Sequence, residues 1–296
     1  MTRHIALGNQ SLLVNIDEWL QVRDIYYPQV GQENHLAGHA QKIGVYVDGK
    51  LSWINEDSWK RSLSYKNDTL VTDSTATNHE LGIELRVEDN VFCEADVLIR
   101  KITVKNNHDR EREIRLFFHQ DLHLYGDGVG DTALYQMDRN VVVHYKRARY
   151  FLTGIIKAGR KRDKSHIDLY AVGQSESQGQ AGTHVDALDG ELSSNPIAQG
   201  RVDSTIGVKL NLPGKDNQTI FYYMACGRDF KDVYRLNSHI LDHGPQEMMN
   251  HAEKCQRSWV NQTTADLSQI SENHARLFKR SLLLIKTQTD RGGAIL

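Results

Sequence analysis

Ile43-Gly-Val-Tyr-Val-Asp-Gly-Lys-Leu-Ser-Trp53 reads as a β-hairpin. Apolar residues alternate on both sides of Asp48-Gly49, the pair that a tight primed turn prefers because both central residues take positive φ. The same kind of signal continues in both directions. Short runs of Val, Ile, Leu, Tyr and Thr, bounded by Gly, Asn and Asp, extend from Ile5 to about Cys226. Ser62–Thr77 pairs with His79–Glu88 in this reading. Val97–Lys105 pairs with Glu113–Leu124 across the polar turn Asn106–Arg110. Thr132–Met137 and Val141–Tyr145 flank Asp138-Arg-Asn140, and Val202–Leu212 and Gln218–Cys226 flank Pro213–Asn217. Repeated hairpins without intervening helices imply antiparallel sheet. So many strands cannot stay in one flat sheet, so the expected fold is mainly β, a large antiparallel two-sheet β-sandwich. Gly173–Gly182, rich in Ser, Gln and Gly, reads as a long loop, and no internal repeat is visible.

The pattern changes after Gly227. Phe230, Val233, Tyr234, Leu236, Ile240 and Leu241 recur at helical spacing, and Gly244-Pro245 ends that helix and opens the next. The second helix runs to about Asn261 and the third from about Asp266 to Lys286. The C-terminal half of the third is apolar nearly all round, which predicts burial on most sides. The expected organisation is a sandwich domain over residues 1–227, a helical linker over 228–265 and a further helical segment over 266–296.

Composition narrows the function classes. The chain has 296 residues, 39% hydrophobic and 25% charged, with a formal net charge of -2. That balance argues against a nucleic-acid binder; the basic cluster Lys157–Lys164 reads as a solvated loop. The longest aliphatic runs fall far short of a membrane span. The three cysteines, Cys93, Cys226 and Cys255, are far apart and odd in number. Together with the absence of a signal-peptide pattern they point to a reducing, cytoplasmic setting.

Chemistry is densest in Arg23-Asp-Ile-Tyr-Tyr-Pro-Gln-Val-Gly-Gln-Glu-Asn-His35. Tyr26, Tyr27, Gln32, Glu33, Asn34 and His35 are groups that hydrogen-bond or stack on sugars, held on a loop stiffened by Pro28 and turned at Gly31. The alternative is a surface turn whose tyrosines cover a core edge. His119, Asp121 and His123 alternate onto one strand face, which is metal-like in residue type; a polar sheet face is the simpler account. Asp127–Asp131 is too short for a calcium loop. His144–Lys146 with Arg147–Phe151 reads as a hairpin carrying cation–aromatic pairs, and Trp53 and Trp59 as core-edge residues. No cofactor motif appears.

Several stretches together resemble prokaryotic and archaeal glucoamylase-type enzymes, the glucoamylase/glucodextranase family of glycoside hydrolases (family 15). They are Leu7–Val14, Arg23–Pro28, Val30–His35, Ile43–Gly49, Asp131–Tyr135, His144–Lys146, Arg149–Phe151, Ser281–Lys286 and Gly292–Ala294. The resemblance rests on their order and spacing and runs from Leu7 nearly to Leu296. It implies a β-sandwich joined by helices to an (α/α) barrel, with Ser281–Ala294 matching the start of that barrel. The chain then reads as an N-terminal domain, linker and first barrel helix of a longer enzyme. The resemblance further implies inverting release of glucose from α-glucans or α-glucoside oligosaccharides. The two glutamates that do this chemistry would lie on the barrel, so no catalytic residue transfers to this sequence. A stand-alone carbohydrate-binding or scaffold module and the sandwich of an inverting sugar phosphorylase are the alternatives.

Overall fold

The computed structural model describes residues 4–176, 181–262 and 267–295. In chain order the strands are β1 (Ile5–Gly8), β2 (Leu13–Ile16), β3 (Val22–Tyr26), β4 (Lys42–Val47), β5 (Lys50–Trp53), β6 (Lys60–Tyr65), β7 (Thr72–Asn78), β8 (Ile83–Val91), β9 (Val97–Asn106), β10 (Arg112–Gln120), β11 (Asp131–Gln136), β12 (Val141–Lys146), β13 (Arg149–Lys157), β14 (Leu169–Gln174), β15 (Ile197–Gly200), β16 (Val202–Leu212) and β17 (Asn217–Gly227). Helices α1 (Phe230–His243), α2 (Pro245–Asn261) and α3 (Glu272–Thr287) follow. All strand pairings among the described residues are antiparallel.

The two expected sheets are present. One has nine strands, in the order β15-β11-β12-β13-β17-β9-β8-β7-β6, and the other five, β14-β16-β10-β4-β5. A three-stranded unit, β1-β2-β3, adds to them. The Asp48-Gly49 hairpin forms as read: Val47 faces Lys50, and both turn residues have positive φ, 52° and 80°. The β11–β12 hairpin and the β12–β13 hairpin also form.

Three pairings differ from the sequence reading. Ser62–Thr77 is two strands, β6 and β7, which pair with each other around a turn closed by Lys66 N to Val71 O. β9 and β10 are not a hairpin, because β9 lies between β17 and β8 while β10 lies between β16 and β4. β16 and β17 likewise belong to different sheets. The segments 107–111 and 213–216 are therefore sheet-to-sheet crossings, and they lie side by side. Asn106 is fully buried between them; its Nδ2 donates to the carbonyls of Arg110, Leu212 and Pro213. Gly214 is needed there, since a Cβ would come within 2.1 Å of the Asp109 carbonyl oxygen.

Alternation explains the layers. Leu98, Ile102 and Val104 of β9 face the main core, with Leu116 and Val208 opposite them and Leu7, Val14 and Ile25 from the three-stranded unit. The intervening Val97 and Ile99 face outward and meet Val233, Leu236, Ile240 and Met248 of α1 and α2. β17 is covered in the same way on both faces, which is why Ile220–Cys226 is a continuous apolar run. The outer face of the smaller sheet, at Phe117, Leu169 and Ala171, packs beneath a short 3₁₀ turn, Thr183–Asp189.

Helix ends follow their sequence signals. Asp229 caps α1 by accepting from Asp232 N, Gly244 (φ 84°) ends it, and Pro245 begins α2. Ser271 caps α3 by accepting from His274 N. α3 begins at Glu272, later than the start expected near Asp266, because Ser271 supplies the cap; Asp266 itself, the 265/266 boundary and part of the Gly173–Gly182 loop lie outside the described residues. α3 departs from the expected burial. Leu283 is buried, but Leu277, Phe278 and Ile285 are 60%, 37% and 55% exposed. Only the face that meets β1 and α2 is covered.

Candidate functional site

β3 delivers the Tyr26–His35 segment to one end of the sandwich, where it folds against residues 121–131. His35 is 0% exposed. Its Nε2 lies 2.7 Å from the Tyr27 carbonyl and its Nδ1 accepts from Tyr125 N at 3.1 Å. A carbonyl can only accept and an amide N–H can only donate, so the ring is the neutral Nε2–H tautomer. Burial pushes its pKa down to about 4. Asn34 is also engaged locally: Oδ1 accepts from Ile25 N and Leu36 N, and Nδ2 donates to Asp24 at 2.7 Å. Glu33 takes a two-pronged pair of bonds from Arg149, at 2.8 and 2.9 Å, and the same guanidinium lies 4.8 Å from the Tyr125 ring centre. Tyr27 is buried with its ring edge-on to Phe151. Tyr26 is half-buried beside Leu13 and Val30, and Gln32 is exposed. The six residues thus share one structured loop, with Gln32 presented to solvent and Asn34 and His35 turned inward.

The expected His119–Asp121–His123 face is divided by the end of β10 at Gln120. His119 pairs with Asp203 at 2.9 Å, under His184. Asp121 instead accepts from Ser175 Oγ at 2.8 Å and meets His39 at 2.8 Å and His123 at 3.1 Å. Burial alone would raise the Asp121 carboxyl, but these hydrogen bonds and the neighbouring imidazoles hold it well below the usual carboxylate range. All three residues are buried. Their partners come from distant segments, and nothing local in the sequence marks them.

Asp127 and Asp131 share the Lys146 ammonium, which also donates to the Leu124 carbonyl. Asp131 is 1% exposed, and burial pushes its carboxyl up to about 7 against the pull of Lys146. Because the unfolded carboxyl titrates near 4, the folded state favours the protonated form. That contribution is complete below about pH 4 and is lost as pH rises toward 7. Asp131→Asn should therefore gain melting temperature relative to the parent chain between pH 4 and 7, and the difference should be flat above. A gain in the opposite direction would show that Lys146 outweighs burial.

Tyr27, Pro28 and Gln29 also form one wall of a cleft of about 470 Å³. Asp96, Arg228, Asp232 and Arg291 line the others. Its carboxylates already have partners: Asp96 accepts from Asn9, and Asp232 from Arg228 N at the start of α1. Both charge signs and several amides face this space, a lining able to hydrogen-bond a neutral hydroxyl-rich molecule. Trp59 is buried, donating to Ser52 Oγ, and Trp53 packs its edge toward His119 and His184. No helix among the described residues is long and apolar enough to cross a membrane.

No family model matches the sequence. An uncharacterized glycosyl hydrolase of Methanocaldococcus jannaschii is 24% identical over 301 residues, covering 98% of this chain and 46% of that protein. Among solved structures, a bacterial glucoamylase complexed with acarbose superposes with a TM-score of 0.75 at 12% identity, over 96% of this chain and 40% of that one. A family GH92 α-mannosidase from Bacteroides thetaiotaomicron superposes with a TM-score of 0.50 at 9% identity, over 98% of this chain and 40% of that one. The chain spans less than half the length of these relatives. Its fold is that of the N-terminal sandwich domain of glucoamylase-like proteins. The chain is thus similar in sequence to part of a glycosyl hydrolase and in fold to part of a bacterial glucoamylase.

Proposed function

We propose that this chain is a non-catalytic N-terminal portion of a glucoamylase-like glycoside hydrolase. The parent enzyme would release glucose from α-glucans or α-glucoside oligosaccharides with inversion, using an acid and a base carried by a following (α/α) barrel and no cofactor. The observation that carries the reading is the superposition over 96% of this chain on 40% of a glucoamylase chain. The exposed Leu277, Phe278 and Ile285 face of α3 supports it, since an apolar stripe of that size suits a further packed layer. In this reading 1–227 is the sandwich, 228–265 the linker and 266–296 the first part of the barrel. The Tyr26–His35 loop would lie against that barrel and help wall its substrate cleft. Tyr26, Gln32 and Glu33 would be the members able to reach sugar, while Tyr27, Asn34 and His35 hold the loop in shape.

The test uses the full-length gene product. It should release β-glucose from an α-linked glucoside in phosphate-free buffer, with the anomer read by NMR. Glu33→Gln should lower thermal stability by breaking the Arg149 pair and raise KM several-fold with little change in kcat. Turnover only in the presence of phosphate would replace the hydrolase with a sugar phosphorylase. An unchanged KM in Glu33→Gln would remove the loop from the substrate cleft.

A further inference from the structure

We propose that Cys93, Glu94, His251 and Cys255 form a site for a zinc-class divalent cation that pins α2 to the sandwich. The cluster joins two segments far apart in sequence. Cys93 and Glu94 lie just beyond β8, and His251 and Cys255 are four residues apart on one face of α2. One ligand atom from each of the four lies within 4.8 Å of every other. His251 Nε2 is 3.5 Å from Cys255 Sγ and 2.8 Å from Glu94 Oε1. Around tetrahedral zinc, with bonds of about 2.3 Å to sulfur and 2.0–2.1 Å to nitrogen, a thiolate and an imidazole sit about 3.5 Å apart. The Cys255–His251 separation already has that value. The glutamate would have to back away by about half an ångström to exchange its hydrogen bond for a metal bond.

The donor set is also selective. Two thiolates and an imidazole favour zinc over magnesium or calcium, which prefer oxygen. Four protein ligands leave no open position, the pattern of a structural rather than a catalytic centre. Cys93 and Cys255 are half-buried on the protein side, while Glu94 and His251 are 63% and 48% exposed, so a cation can enter from solvent. Phe92 packs against the His251 ring at 5.8 Å and limits its rotation. A dication between the two sulfurs favours their thiolate forms. Cys226 takes no part; it is buried in the main core.

Cobalt(II) is the probe. The reduced, chelator-treated chain should develop a thiolate-to-cobalt charge-transfer band that saturates at a single equivalent. Cys93→Ser and Cys255→Ser should lose the band while keeping their far-ultraviolet circular dichroism. The exposed substitution His251→Gln should weaken cobalt binding by more than about tenfold. Zinc should raise the melting temperature of the parent chain and leave that of Cys93→Ser unchanged. No band in the reduced parent chain, or a band that survives Cys255→Ser, overturns the proposal. A chain isolated with Cys93 and Cys255 oxidised to a disulfide, and binding no cobalt after reduction, overturns it in favour of a redox staple.

Discussion

Replacing Arg100 with methionine will lower the stability of the chain by about 3–5 kcal/mol, read from the midpoint of urea unfolding. Arg100 points inward from β9, between Leu98 and Ile102, and is 2% exposed. Its carboxylate partner is Asp89, its register neighbour on β8, at 2.6 Å and 0% exposed. The guanidinium also donates to the Leu20 carbonyl at 2.9 Å, tying the loop after β2 to the larger sheet. Without the arginine, the Asp89 carboxylate keeps Thr72 Oγ1, at 3.1 Å, as a side-chain donor in the buried core. An unpaired buried charge is costly. Adding Asp89→Leu removes the stranded charge and should recover more than half of the loss, because burying an ion pair has little net advantage over apolar packing. A single-variant loss below about 1 kcal/mol would show that water reaches the pair.

Asn106→Ala should cost about 2–4 kcal/mol and loosen both sheet crossings together. One amide serves three carbonyls, those of Arg110, Leu212 and Pro213, while its oxygen accepts from His108 N and Arg112 Nε. Arg112 is itself buried and donates to the Leu81 and Gly82 carbonyls, so loss of its Asn106 acceptor reaches the β7–β8 turn. Alanine fills none of these roles, and buried polar groups left without partners carry the full cost of desolvation. Hydrogen exchange should quicken in 106–112 and in 212–217 to the same degree, as expected of one cooperative opening. Faster exchange in one crossing alone would mean that the two are held independently.

The candidate site was legible in part. The sequence marks Tyr26–His35 as a polar, aromatic loop on a stiffened backbone, and such a loop is present. It does not show that His35 Nδ1 accepts from Tyr125 N, or that Glu33 is held by Arg149, because those partners are brought in from elsewhere in the chain. Cys93 and Cys255 show the same limit. Their spacing carries no metal signature, yet a strand end and a helix face bring them together.

What the sequence determined by itself is local. Asp48-Gly49 turns because both residues accept positive φ. Gly244-Pro245 separates two helices for reasons of backbone geometry. Side-chain alternation likewise sets which residues of β9 and β17 face which layer. Only the tertiary structure decided the neighbours of β9, β10, β16 and β17. Asn106–Arg110 and Pro213–Asn217 have the composition of hairpin turns but carry the chain from one sheet to the other. The physical reason is that every strand offers the same backbone N–H and C=O groups at its edges, whatever its sequence. Partner choice therefore falls to packing between sheets and to buried polar bolts such as Asn106, which no local pattern records.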